Sequence, residues 1–343
     1  MGQSGRHRAR CGGVAWLRAA LRAAETVGRA VLLVAGLQTV GTAQQVPDRS
    51  FRPPVGRPAF AAATGPRLCL DEGHHNFHTL DDRFWAFGEL ARRDGFRVQG
   101  LRATFDATAL AACDLLVISN AQPSDQPWTA YPRPTPSAFT ASEISAVRAW
   151  VEAGHALLLI ADHMPLAGAS SALAAAFGAS FTDGFAYQAQ LGADGTPTVE
   201  RVRDVPTSFV LAEGTLRRHA VTAGRDTGER VTRIRSFTGQ AFRWDAPDVE
   251  PVMLLPDGFV SLEPLIAWQF TPDTPMRPVG GWLQGATRRV GRGRVALFGE
   301  AAMFSAQVAG AERRPMGMNA PGAEQNARFV LNVLRWTSGV LDP

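Results

Sequence analysis

The run Ala156-Leu-Leu-Leu-Ile-Ala161 constrains the chain more than any other stretch. Six aliphatic residues in a row leave no polar face, so a strand built from them must be covered on both sides. That is the condition of a central strand in a parallel sheet flanked by helices. Its surroundings agree. Upstream, Thr140-Ala-Ser-Glu143 has the form of a capping box, in which each side chain satisfies a free backbone donor, and Ile144, Val147, Trp150 and Val151 follow at helical spacing before Gly154. Downstream, the run stops on Asp162-His163, and Met-Pro leads into a helix from about Ala167 to Phe177.

The same alternation recurs on either side. Strand Arg67–Leu70 precedes a helix over Leu80–Arg93, where Phe84, Phe87, Leu90 and Ala91 share a face and Gly95 is the stop. Phe96–Leu101, a short helix Thr108–Ala112, and strand Asp114–Asn120 follow. Near the other end, Gly293–Glu300 reads as a strand and Ala323–Trp336 as a helix. This predicts an α/β fold with a doubly wound, mostly parallel sheet over residues 67–337. Between Gly184 and Gly285 the rhythm breaks into short β-like pieces such as Val231–Phe237 and Val252–Leu255, which predicts a β-rich elaboration. The Pro-rich stretch Pro123–Pro136, with Trp128 and Tyr131, has the length of a lid or binding loop.

Charge is unevenly spread. Residues 1–43 hold Arg6, Arg8, Arg10, Arg18, Arg22 and Arg29 against Glu25, or +5, so the remaining residues carry −1 of the total +4. The basic balance therefore belongs to the leader and does not point to nucleic acid. No lysine occurs, which excludes a phosphate-loop lysine, a Schiff base and a lysine general base. Ala30-Val-Leu-Leu-Val-Ala-Gly-Leu37 followed by Gly41-Thr-Ala43 completes the pattern of a secretory signal. The run is shorter than the ~20 residues that span a bilayer. The expected state is exported, periplasmic or extracellular, without stable membrane insertion after cleavage; an uncleaved membrane anchor is the alternative. Cys11 precedes the apolar core, so a lipoprotein is not expected. Residues 44–66, rich in Pro, Arg and Ala, read as an exposed linker. Of the remaining cysteines, Cys69 and Cys113 sit among aliphatics. They are expected to pack as small hydrophobes, with a disulfide open to them in an oxidising compartment.

Ligands of open α/β sheets bind outside the carboxyl ends of the strands. Four strand ends here carry Asp71-Glu72, Asn120, Asp162-His163 and Glu300, and the first is followed by His74, His75 and His78. Each has an ordinary structural use as well: Asp71 and Glu72 as helix caps, Glu300 as the N-terminal carboxylate of the next helix, any single histidine as a hydrogen-bonded core residue. Taken together they suggest a polar crevice. In it Glu72, His163 and Glu300 are the candidate acid–base catalysts, and Asp71, His75, Asn120 and Asn319 the ligand-binding groups. His74, His78 and Asp162 are candidate ligands of a divalent metal such as Zn²⁺, since imidazole and carboxylate suit a first-row ion. The strand-to-helix turn Ala161-Asp-His-Met-Pro165 has the place of a nucleophile elbow but no Ser, Thr or Cys. His155 and His219 are assigned to structure.

Ala153-Gly-His-Ala-Leu-Leu-Leu-Ile-Ala-Asp-His163 resembles the corresponding strand of the class I glutamine amidotransferase-like superfamily, close to its trehalose-utilisation-type branch. Asp71-Glu-Gly-His-His-Asn-Phe-His78 and Gly291-Arg-Gly-Arg-Val-Ala-Leu-Phe-Gly-Glu300 are similar to bacterial proteins known as a domain of unknown function. The resemblance implies a flavodoxin-like fold across about residues 67–337. It does not imply amidotransferase activity, because the cysteine of the Cys-His-Glu triad has no counterpart. Two functions remain. One is an exported hydrolase or lyase using a His/carboxylate crevice, with or without a metal. The other is a non-catalytic module that binds a small polar molecule such as a carbohydrate.

Overall fold

The computed structural model describes residues 45–191, 197–203 and 206–342. The expected signal segment lies outside them. Strand β1 (Gln45–Pro47) leads to β2 (Arg67–Asp71), α1 (Trp85–Arg93), β3 (Arg97–Leu101), α2 (Ala107–Leu110), β4 (Leu115–Ser119), α3 (Ala141–Glu152), β5 (Ala156–Ile160) and α4 (Leu166–Ala176). The β-rich region holds β6 (Ala179–Phe181), β7 (Phe185–Leu191), β8 (Pro197–Arg203), β9 (Thr207–Val210), the single-turn helix α5 (Ala220–Ala223), β10 (Arg233–Ser236), β11 (Phe242–Trp244), β12 (Val249–Leu254), β13 (Phe259–Leu262) and β14 (Met276–Pro278). Then come β15 (Leu283–Val290), β16 (Gly293–Phe298), β17 (Ala306–Ala309), β18 (Arg314–Gly317) and α6 (Asn326–Thr337).

Five strands pair in parallel in the order β3-β2-β4-β5-β16. Counted along the chain this is 2-1-3-4-5, the flavodoxin-like order, whose switch point lies between its first and third strands, here β2 and β4. β5 is central, as its composition requires, with all five residues buried. Side chains alternate across the sheet. Leu68, Leu70, Val117, Leu158, Ile160 and Phe298 face α1 and α6, while Cys69, Leu116, Ile118, Leu157, Leu159 and Leu297 face α3 and α4.

The β-rich region is less separate than its sequence suggests. β15 pairs antiparallel with β16, and β12, β11 and β6 continue the sheet beyond it. The rest forms a sheet in the order β14-β13-β7-β8 and the pair β10-β9. Alternation along each short strand reveals which face is buried but not which sheet the strand joins.

Two expectations need correction. Residues 45–66 are a fastened strap, not an exposed linker. β1 pairs with β17, and Phe51, Val55 and Phe60 pack on the core. The Asp94 carboxylate accepts the Ala59 N–H (2.9 Å) and a two-pronged bond from Arg335 (2.9 and 2.6 Å), and Arg335 also donates to the Arg57 carbonyl (3.1 Å). Low hydrophobicity hid this, because the strap is held mostly through its backbone. Second, Cys69 and Cys113 are buried as expected, but not as free thiols. They form a disulfide with Cα atoms 5.7 Å apart.

The folded chain should therefore resist iodoacetamide until it is both reduced and unfolded, as read by intact mass. Replacing both cysteines by alanine should cost roughly 3–4 kcal/mol in urea unfolding, the entropy scale of a loop this long.

Candidate functional site at the strand ends

Asn120 joins three of the polar strand ends. It follows β4 with φ +50°, a conformation that asparagine tolerates better than most residues. Its N–H donates to the Ile160 carbonyl (3.0 Å), its side-chain oxygen accepts the Asp162 N–H (3.0 Å), and its carbonyl accepts the Phe77 N–H (2.9 Å). The loop 72–78 is thereby pinned to the ends of β4 and β5.

His163 lies just beyond. Its N–H donates to the Asp162 carboxylate (2.9 Å), and its Nδ1 donates to the Met164 carbonyl (2.8 Å). A carbonyl only accepts, so Nδ1 carries a proton, and Nε2 is the ring nitrogen left for a ligand. Nε2 has no hydrogen-bond partner among the described residues. The ring lies flat on Phe185 (4.7 Å) and meets Trp268 edge-on (4.9 Å), with Trp128 at 5.8 Å. Trp268 is held at φ +67° on the 263–275 loop. That is strain for so bulky a residue, of a kind that collects at functional sites. Its loop is bonded to the Pro-rich loop through Arg133 N–H to Leu265 carbonyl (2.8 Å) and Ala267 N–H to Tyr131 carbonyl (3.0 Å). Trp268 had no signal in the sequence, since it lies inside the aperiodic region.

Glu300 is fully buried at the end of β16 and accepts the N–H groups of Ala302 (2.6 Å) and Met303 (2.9 Å). The expected N-terminal role is present, at the short turn Ala302–Phe304. Burial above all, and then the negative charge of Asp162, push its carboxyl well above the usual range. Burial raises Asp162 too, against the opposing influence of His163. Burial and mutual repulsion thus both work against ionising the two carboxyls together, next to the His163 imidazole.

The expected metal ligands do not assemble. Both nitrogens of His74 are taken, Nδ1 by Asp71 (2.8 Å) and Nε2 by Glu143 (2.9 Å). His78 bonds Ser119 Oγ through Nδ1 (2.9 Å) and stacks on Phe84 (4.4 Å), and burial, aided by Arg83, pulls its pKa far down. Among the described residues no group of three or more His, Cys, Asp or Glu side chains is set to hold a metal ion. Glu72 also leaves the catalytic set. It pairs with Arg102 (3.0 Å), accepts the Leu80 N–H (2.8 Å) and lies over Gly100, where a Cβ would come within 2.5 Å of it.

Of the ligand-binding candidates, Asp71 is fully buried and spent on His74, Asn76 and the Gly73 N–H. His75, at φ +47°, faces solvent and pairs with Asp125. Asn319 is remote in role, tying Asp48 of the strap to the Gln307 carbonyl (3.0 and 2.9 Å). Glu143, read only as half of a capping box, does cap Thr140, and its other oxygen reaches His74 across 69 positions of sequence.

No family model matches the chain, and no curated protein sequence does. Among solved structures the chain is similar to the mmIFT52 N-terminal domain, with 12% identity over 79% of this chain and 96% of that one and a TM-score of 0.50. A ThuA-like protein from Bacteroides uniformis is 13% identical over 82% and 95% of the two chains, with a TM-score of 0.41. A GMP synthase component from Thermoplasma acidophilum is 10% identical over 80% and 98%, with a TM-score of 0.39. At such identities the likeness concerns the fold alone, an α/β fold with a large, mostly parallel sheet.

Glu143 supplies a pH test of this architecture. Burial works to raise its pKa, but bonds from Thr140, His74 and Phe105 outweigh it and hold it at about 2 against 4.5. A depressed carboxyl contributes stability that is present above its unfolded pKa and lost as pH falls through the folded one. The urea midpoint should therefore drop between about pH 4.5 and about 2, and Glu143→Gln should flatten part of that drop.

Proposed function

We propose that this chain is an exported hydrolase or lyase of the class I glutamine amidotransferase-like superfamily that works by proton transfer, without the amidotransferase nucleophile. The observation that carries this is His163: an Nδ1 held by the Met164 carbonyl, an Nε2 without a hydrogen-bond partner among the described residues, and beside it the buried carboxyls of Asp162 and Glu300, both with raised pKa. In this reading Nε2 takes a proton from a ligand hydroxyl or a water. Asp162 orients the residue through its backbone, and the Asp162–Glu300 pair is the nearby proton reservoir. Neither cysteine of residues 45–342 can replace the missing nucleophile, since each is spent in the disulfide. The same disulfide supports export, because such bonds persist in oxidising compartments. Among the described residues no helix is long and apolar enough to cross a membrane.

A second reading, a module that only binds a small polar molecule or carbohydrate, is favoured by Trp128 and Trp268. Both are half-buried beside His163, and the Trp268 Nε1 is buried without an acceptor.

Turnover of a panel of esters, amides and glycosides separates the two. On the catalytic reading the mature protein turns over at least one compound, and His163→Ala lowers kcat by about 10²–10⁴ with an unchanged urea midpoint. No turnover in the wild type, together with binding that survives His163→Ala and fails in Trp128→Ala, would favour the module.

A further inference from the structure

We propose that His74 is a buried imidazolium that locks the loop 72–78 to α3 and releases it on losing a proton, an alkaline-sensitive switch at the edge of the site. The charge follows from hydrogen-bond accounting. Both ring nitrogens face carboxylate oxygens, Asp71 Oδ1 at 2.8 Å and Glu143 Oε1 at 2.9 Å. Both acids accept further hydrogen bonds besides those from the ring. Glu143 Oε1 also accepts the Phe105 N–H (3.1 Å), while Oε2 accepts the Thr140 N–H (2.9 Å) and hydroxyl (2.7 Å). Asp71 Oδ1 accepts the Gly73 N–H (3.1 Å) and Oδ2 accepts Asn76 Nδ2 (3.0 Å). Acceptors on both sides require a donor at both ring nitrogens, and only the cation has two. A ring with no free lone pair is also no metal ligand.

The groups facing the ring from each element agree. β2 contributes Asp71 and α3 contributes Glu143. The segment before α2 contributes the Phe105 ring at 4.5 Å, with Asp106 turned away to cap Ala109. The segment before α3 contributes the Phe139 ring at 4.8 Å. Within the loop, Asn76 Oδ1 accepts the His74 N–H (3.0 Å), while Glu72 turns to Arg102 and His75 to Asp125. Burial works to lower the His74 pKa, but Asp71 and Glu143 together raise it above 6.5. Such a group gives stability that is full below its unfolded pKa and lost as pH rises through the folded one.

Deprotonation leaves one carboxylate facing a ring nitrogen with no hydrogen. Glu143 borders a cleft of about 430 Å³, shared with Thr104, Phe105, Asp106, Thr140 and Ser142, through which water can replace the missing donor. The freed loop is the one that places Phe77 against Trp128 (5.8 Å) and His78 against Ser119. The lock therefore acts on the wall of the strand-end site and stands whether or not that site is catalytic.

Nitrogen-detected NMR of the full mature chain, titrated between about pH 5 and 10, tests this across the range in which a histidine with a raised pKa can titrate. Both His74 ring nitrogens should be protonated at neutral pH, and the Gly73 and Asn76 amide shifts should move with the same midpoint as the ring. Glu143→Gln should lower that midpoint toward that of a free histidine and bring the loop transition with it. A neutral His74 ring at pH 7 in the wild type would overturn the proposal. So would loop amides that ignore the titration of the ring, and both can be read in wild-type protein without any variant.

Discussion

Burial of β5 on both faces is the constraint from which the rest follows. A strand with no wet face can offer no functional side chain along its length, and neither can β4 or β16 beside it. Polar chemistry is displaced to the ends of these strands, where the backbone loses its lateral partner. Each end must satisfy its freed groups locally. Asn120, Asp162 and Glu300 do so by bonding one another's backbones and the turns that follow. The candidate site and the means of stopping a parallel sheet are one arrangement.

That double use explains how the sequence could indicate the place and still mislead about the chemistry. The aliphatic runs made the parallel strands and their order of burial legible, and polar strand ends are visible wherever such a run stops. What a histidine does there depends on what arrives from elsewhere. His74 was indistinguishable from a ligand until Glu143 came to its far side, and Glu143 advertised only its helix cap. His163 stayed available because its Nδ1 is occupied by the next carbonyl in the chain, a local detail that no spacing encodes. Trp268 and the antiparallel extension of the sheet were hidden for a plainer reason: short strands and loops carry too little periodicity to show where they pack.

The buried ions follow one rule. His74 and Arg335 are both wrapped by carboxylates, with Asp71 and Glu143 around one and Asp94 and Glu229 around the other. A charge removed from water needs partners on every side that would have been solvated. Asp71 is a near neighbour of His74, but Glu143, Asp94 and Glu229 come from distant parts of the chain, so these ion pairs fix tertiary geometry more than they add net stability.

The strap and α6 meet at Asp94, and Arg335 reaches the carbonyl of Arg57 across 278 positions of sequence. Closing that contact requires nearly the whole polypeptide to be present. A nascent chain that has emerged only as far as β16 can form the parallel strands and the bonds from the strap to Asp94, but it lacks the β17 and Arg335 contacts that close the strap. Contacts this distant form late and slowly. A chain that delays its final closure in this way stays pliable while it is being made, which fits the proposed export, since a polypeptide threaded through a membrane must not set before it has crossed.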